Sequence, residues 1–319
     1  MSNLPIPSPM PMWSRTITPV KANMNDFSTF SICLPPGCDA ACKYCVARMT
    51  GLDSFDKTTK LSLRNFEKAV RMAELARINT VLFTGKGEPM LYQDRIDEML
   101  KIMGHRFPLI VLQTNGLRIY WKKYRNDSRM KTCLHDWWDM GLTHISLSIV
   151  HWLSYKNEEI ICRGGDVHYD LKGLVNYLSD FGFMVRLNVT MCQGYIDSLD
   201  SVLEMEAYAS DIGAEITFRP VAKPDVPEDS EIADWVSNHQ IPQEIVDEIV
   251  TYHHNNYRLL YEFDFGGLWF DIDGQNVVLS NCLTGYEAGK PVRQLIYFAD
   301  NSLGFDWQSK AAMLLPAVK

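Results

Sequence analysis

The chain has 319 residues, 46% hydrophobic and 22% charged, with a net charge of −8. This is the composition of a globular protein with a sizeable core, arranged as one large domain or two smaller ones. The acidic balance argues against coating nucleic acid or anionic membrane by electrostatics, and no apolar stretch is long enough to span a bilayer.

Residues 1–26 begin "MSNLPIPSPMPMW", with prolines at alternate positions from Pro5 to Pro11. This stretch lacks the basic start and continuous apolar core of a signal peptide and reads as an extended arm. Eight cysteines without an export signal predict a reducing, cytoplasmic setting. Cys133, Cys162 and Cys192 stand apart from the others and read as buried free thiols.

From residue 27 to 222, strand-like and helix-like segments alternate. "STFSICL" is a strand. "SLRNFEKAVRMAELA" is a helix, with Leu63, Phe66 and Val70 at helical spacing. "TVLFT", "DRIDEMLKIM", "PLIVLQT" and a short helix over "CLHDWWDMG" follow, with Trp137 and Trp138 as core or interface residues. "THISLSI", "YDLKGLVNYLSDFG", "FMVRLNVT", "LDSVLEMEAYASDIG" and "EITFRP" complete six strands. Such alternation predicts parallel strands joined by right-handed crossovers. "CRGGD", residues 162–166, reads as a flexible connection after the fourth strand, with an anion-binding nest as the alternative.

The last three strands each have one polar face. Ile145, Leu147 and Ile149 alternate with His144, Ser146 and Ser148. Val185, Leu187 and Val189 alternate with Arg186, Asn188 and Thr190, and Ile216 and Phe218 with Glu215, Thr217 and Arg219. A parallel sheet covered on both faces reads as nearly continuous apolar residues. The alternation therefore predicts a curled sheet whose polar face looks inward, or an antiparallel sheet with one face in solvent.

Residues 223–319 read differently. "AKPDVPEDSE" is a connection and "PQEIVDEIVTYHH" a helix, on which the adjacent His253 and His254 face different ways and make a poor metal pair. "LWFDIDGQNVVLS" is a hairpin around Asp273-Gly274, and "RQLIYFAD" is a further strand.

The chemistry concentrates in "CDAACKYC", where Cys38, Cys42 and Cys45 fall within eight residues. A structural zinc site takes four ligands, commonly as two separated pairs, and no second pair follows here. Cys33 is an available fourth ligand but lies in the apolar strand. An iron–sulfur cluster is the other thiolate-held group, and three thiolates on a four-iron cluster leave one iron open.

Cys-x3-Cys-x2-Cys with Tyr44 before the last cysteine, in a loop after a first strand, resembles the signature of the radical S-adenosylmethionine (SAM) enzymes. "TGKGEP", residues 84–89, resembles that family's Gly-Gly-Glu-Pro motif at the end of the second strand, with Lys86 as a departure. The resemblance covers roughly residues 28–222. It implies a partial (β/α)6 TIM-like barrel over 27–222, followed by a C-terminal α+β extension that caps it. It further implies a [4Fe–4S] cluster on Cys38, Cys42 and Cys45, and SAM held by Tyr44, Gly85, Lys86, Gly87, Glu88, Asn115, Ser146, Ser148, Asn188 and Arg219.

The implied partners are a one-electron reductant of flavodoxin or ferredoxin type and a substrate: a small molecule, a nucleotide or a peptide. The stretch from Val185 to Val221 resembles the molybdenum-cofactor-biosynthesis (MoaA-like) branch. The stretch leading to Cys282 resembles a SPASM or twitch domain that has lost its other ligands. Cys282 is there either a hydrogen-atom donor to a substrate radical or a buried hairpin cysteine. A non-enzymatic zinc- or cluster-binding protein is the remaining alternative.

Overall fold

A computed structural model describes residues 29–50, 59–162, 170–263, 266–280, 293–307 and 313–317. The N-terminal arm, Arg163–Asp166 of the "CRGGD" stretch and Cys282 lie outside the described residues.

Up to residue 220 the chain runs β1 (Thr29–Gly37), α1 (Val46–Met49), α2 (Leu63–Leu75), β2 (Thr80–Gly87), α3 (Gln93–Met103) and β3 (Leu109–Thr114). Then come α4 (Leu117–Tyr124), α5 (Ser128–Asp139), β4 (His144–Ile149), α6 (Ser154–Ile161), α7 (Leu171–Ser179), β5 (Met184–Met191), α8 (Leu199–Asp211) and β6 (Glu215–Pro220). β1 to β6 are parallel and neighbour one another in chain order. The alternation of elements predicted these parallel strands, and the resemblance implied the partial TIM-like barrel they form.

α2 illustrates how the sequence makes each crossover. Ser62 caps it by accepting the Asn65 N–H at 3.4 Å, and Phe66, Ala69, Val70 and Ala73 bury one stripe. Phe66 stacks on Phe30 of β1 at 6.5 Å between ring centroids. Burying a side chain of this size stabilises the fold by roughly 1.5–3 kcal/mol.

The helix-facing and inner sides of the strands divide as the alternation predicts. Ile145, Leu147, Ile149, Leu187, Val189, Ile216 and Phe218 belong to the main core beneath the helices. Strand register places Gln113, Ser146, Arg186 and Glu215 in one row on the other side, and Ser148, Asn188 and Thr217 in the next. Arg186 donates to Glu215 at 2.6 Å, and Asn276 donates to the other Glu215 oxygen at 3.0 Å.

The extension comprises α9 (Ser230–His239), α10 (Gln243–Asn256), β7 (Arg258–Glu262), β8 (Leu268–Ile272), β9 (Gln275–Leu279), β10 (Gln294–Tyr297), β11 (Leu303–Gly304) and β12 (Met313–Leu315). Asp273 and Gly274 both take positive φ, the conformation a two-residue hairpin turn requires. The extension lengthens the barrel sheet at both edges. β9 pairs in parallel with β6, and β10 pairs in parallel with β1, giving the order β12-β11-β10-β1-β2-β3-β4-β5-β6-β9-β8-β7. Among the described residues, no helix is long and apolar enough to cross a membrane.

Candidate active site

The cysteine loop leaves β1 at Gly37, whose φ of 140° suits glycine alone. β1 and β2 approach so closely here that a Cβ on Gly87 would lie 2.0 Å from the Gly37 carbonyl oxygen. Gly37 O accepts the Glu88 N–H at 2.7 Å, and Pro36 O accepts the Tyr92 hydroxyl at 2.6 Å. The glycines of "TGKGEP" thus let the second strand close on the root of the cysteine loop.

Glu88 is 2% exposed, and both its oxygens are occupied. Oε1 accepts the Met90 N–H at 2.9 Å and the Thr114 hydroxyl at 2.6 Å, while Oε2 accepts the Asn115 N–H at 2.8 Å. Burial pushes its carboxyl up to about 7, against the opposing pull of these bonds. The carboxylate therefore ties the end of β2 to the end of β3.

Asn115 carries that tie to the cysteines. Its Nδ2 donates to Asp39 Oδ1 at 2.8 Å and lies 3.9 Å from Cys38 Sγ, and its Oδ1 accepts the Leu117 N–H. The Ala40 N–H also points at Cys38 Sγ, at 3.4 Å.

Further along the loop, Ala41 and Lys43 donate to the carbonyls of Ile161 and Ile160 at the end of α6, at 2.8 and 3.2 Å. Cys45 opens α1, which is anchored from two sides. Lys86 Nζ reaches Thr50 Oγ1 at 2.6 Å, and Arg48 pairs with Asp229 at 2.6 Å. The buried Tyr44 ring packs against Trp235 of α9 at 6.4 Å.

The three thiols are near enough to one another to disfavour joint ionisation. Burial is the largest cause of the raised thiol at Cys38, up to about 11, and at Cys42, which rises further; neighbouring cysteines add to both. Holding Cys38 and Cys42 as thiolates would require cationic charge beside them. Cys33 points elsewhere, into a small apolar cluster with Ile296 and Phe298. Among the described residues, no three His, Cys, Asp or Glu side chains converge on a single ion.

The remaining predicted residues lie on the inner strand face. Ser146 and Asn188 are buried on β4 and β5, and Ser148 stands opposite Asn188 in register. Arg219 ends the row on β6 opposite Thr190, and burial with Arg219 nearby lowers the Arg293 guanidinium to about 10. Asn188 Oδ1 is buried with no hydrogen-bond partner, a polar atom left over in the barrel interior.

The sequence did not point to Asp229 or Trp235 as supports of the site, because they reach the cysteine loop and α1 only through tertiary contacts. Thr114 had a legible signal, lying beside Asn115 at a strand end. Cys162, set apart in the sequence, lies close enough to Cys42 to raise that thiol further.

A parallel partial barrel with a three-cysteine loop at the carboxyl ends of its strands defines a barrel enzyme whose centre lies at those ends. The Radical SAM superfamily model matches residues 32–207, more than half of the chain. The chain belongs to the Radical SAM superfamily. The cofactors of that superfamily are a [4Fe–4S] cluster and SAM.

Solved structures share the fold. Streptococcus suis SuiB bound to S-adenosylmethionine has a TM-score of 0.56 and 13% identity, covering 87% of this chain and 60% of SuiB. SuiB bound to precursor peptide SuiA gives 0.51 and 16%, over 87% of this chain and 59% of SuiB. Native anSMEcpe with bound AdoMet gives 0.51 and 13%, over 87% of this chain and 73% of anSMEcpe. The chain thus spans about 60% of the length of SuiB. No curated protein matches it.

The residues present fit both cofactors. The donor set is three thiols on one braced loop, the fourth position has no protein ligand in the motif, and the barrel interior holds the unsatisfied Asn188 oxygen.

Proposed function

We propose that this chain cleaves SAM reductively and uses the resulting 5'-deoxyadenosyl radical to abstract hydrogen from a substrate. The observation that carries this reading is the cysteine loop itself, braced by Asn115 at Cys38 and by the Glu88 carboxylate behind Asn115. Cys38, Cys42 and Cys45 hold the cluster. Bound there, it supplies the electron that breaks the SAM sulfonium.

The protein's own residues bind and orient. The backbone around Gly85, Lys86 and Gly87 receives the methionyl end of SAM. Glu88, with its oxygens already engaged, shapes that edge from behind. Tyr44 holds the loop against α9. Ser146, Ser148, Asn188 and Arg219 offer hydroxyl, amide and guanidinium groups to the nucleoside, the carboxylate and the substrate. A one-electron reductant of flavodoxin or ferredoxin type approaches the loop.

A small molecule or nucleotide suits the polar inner face of β4, β5 and β6. The second reading, peptide modification, is favoured by the shared fold of SuiB in complex with precursor peptide SuiA. The MoaA-like character of β5 and β6 supports the first, and the SPASM-like stretch before Cys282 the second, with Cys282 as a candidate hydrogen-atom donor. The free thiols suit a reducing, cytoplasmic setting.

Anaerobic reconstitution tests the reading. About four iron and four sulfide per chain, with 5'-deoxyadenosine formed on reduction, is the expected result. One zinc per chain without SAM cleavage would overturn it. Cys42→Ala should lose both cluster and cleavage.

A further inference from the structure

Cys42 is held from a place remote in sequence. The two residues flanking it, Ala41 and Lys43, donate their N–H groups to Ile161 O at 2.8 Å and Ile160 O at 3.2 Å. These are carbonyls of the last turn of α6, whose backbone acceptors would otherwise face water. The end of this short helix therefore serves as an edge against which the middle cysteine is laid.

What fixes α6 is one side chain. Asn157 is 1% exposed and uses both ends of its carboxamide. Its Oδ1 accepts the N–H of Val150 at 2.9 Å and that of His151 at 3.3 Å. Its Nδ2 donates to His151 O at 2.5 Å and to Leu153 O at 3.4 Å. α6 has no side-chain cap of its own, so Asn157 takes over the task of joining the helix to the turn that leaves β4. The turn is stiffened further by the Leu153 N–H, which donates to His151 Nδ1 at 3.0 Å, and by the His151 ring lying 3.9 Å from Trp152. A continuous chain of bonds thus runs from the carboxyl end of β4 through Asn157 and α6 to the backbone on both sides of Cys42.

We infer that Asn157 is a positioning residue for the cluster: by locking α6 to the end of β4 it fixes where Cys42 presents its thiolate. The inference rests on the cluster assignment above. Groups that orient metal ligands from behind commonly matter about 10- to 100-fold in metal affinity, and a buried carboxamide with four partners is difficult to replace.

The test uses the reconstituted holoenzyme and compares Asn157→Ala and Asn157→Asp with a buried control, Asn65→Ala. Asn65 also bonds backbone carbonyls, those of Asn301 and Pro316, but lies on α2, away from the cysteine loop. The readouts are the rate at which a strong iron chelator strips the cluster and the EPR spectrum of the reduced cluster without SAM. Thermal unfolding is measured alongside.

Asn157→Ala should raise the stripping rate about 10-fold or more and alter the EPR signal. Asn157→Asp keeps an acceptor oxygen but turns a second, acidic oxygen toward the His151 and Leu153 carbonyls, so it should shift both readouts in the same direction as Asn157→Ala. Asn65→Ala should lower the unfolding temperature while leaving stripping rate and spectrum as in the parent. If Asn157→Ala fails to fold, Asn157→Asp against Asn65→Ala decides on the same criteria. Unchanged stripping and spectrum in the folded Asn157 variants, or an equal change in Asn65→Ala, would overturn the inference. Failure of the parent chain to take up any cluster would instead overturn the reading beneath it.

Discussion

Gly87 and Gly37 meet backbone to backbone: a Cβ on Gly87 would stand 2.0 Å from Gly37 O and 2.7 Å from Gly37 N. Neither contact can relax without parting β2 from the root of the cysteine loop. Gly87→Ala should therefore cost on the order of 3 kcal/mol in urea unfolding and lower iron uptake. Gly85→Ala, where the nearest atom is Leu34 O at 3.2 Å, should cost about 1 kcal/mol or less.

Glu88→Gln retains the shape but replaces one acceptor oxygen with a donor. Either the Asn115 N–H or the Met90 and Thr114 donors then lose their partner, at about 1–3 kcal/mol. The pH response of the parent follows from the raised carboxyl. Its folded-state value, about 7, exceeds the ordinary value of 4.5, so the folded state binds the proton more tightly. The associated stability is fully present below pH 4.5 and is lost as pH rises through about 7. In chemical denaturation from about pH 4.5 to just above 7, parent stability should therefore decline relative to Glu88→Gln. A flat difference would show that Glu88 does not titrate there.

Trp235 touches the cysteine loop from the extension, through the Tyr44 ring. Trp235→Ala should lower stability by about 2 kcal/mol, less than for a fully buried tryptophan. It should also reduce cluster content in the reconstituted protein, as measured by iron per chain. Normal iron content in a folded variant would separate the extension from the cluster.

The buried His253 behaves as a structural clasp. Its Nδ1 faces Ile249 O and its Nε2 faces Glu206 Oε1, both at 2.7 Å, joining α10 to α8. Both ring nitrogens face acceptors, so the imidazole is held from two sides inside the fold. Removing one partner of such a buried pair costs roughly 3–5 kcal/mol. His253→Ala should show that loss in unfolding, with the EPR spectrum of the cluster unaltered in whatever fraction remains folded.

Much of the fold was legible because strand-like and helix-like segments alternate along the chain and the turns carry Gly, Pro and Asp. The inner face of β4, β5 and β6 could be read from Ser146, Asn188 and Thr217 standing between aliphatic residues. α6 could not: "SYKNEEII" places Ile160 and Ile161 side by side, has no cap, and leaves Tyr155 exposed. α9 was obscured by Pro224 and Pro227, which mark "AKPDVPEDSE" as a linker although its end docks on α1. β7 is exposed at every residue, so burial imposed no alternation on it.

At the site, the cysteines and "TGKGEP" were visible because their chemistry demands fixed spacing along the chain. Trp235 was not, because it acts on a ring far away in sequence, and Asn157 was not, because its nearby backbone partners secure a helix whose contact with the cysteine loop is itself remote in sequence. The resemblance implied Glu88 as one of the residues that hold SAM; its oxygens accept from Met90, Thr114 and Asn115.

The pairing of β10 with β1 joins Thr29 to Gln294. During synthesis, β1 and its cysteines leave the ribosome well before the strand that covers the outer edge of β1; Ser31 and its partner Gln294 are 263 residues apart. Throughout that interval β1 presents unpaired backbone groups, a hazard for association between nascent chains. The sheet that carries the cysteine loop is therefore complete only late in the life of the polypeptide, and trimming the chain before β10 would leave that edge open.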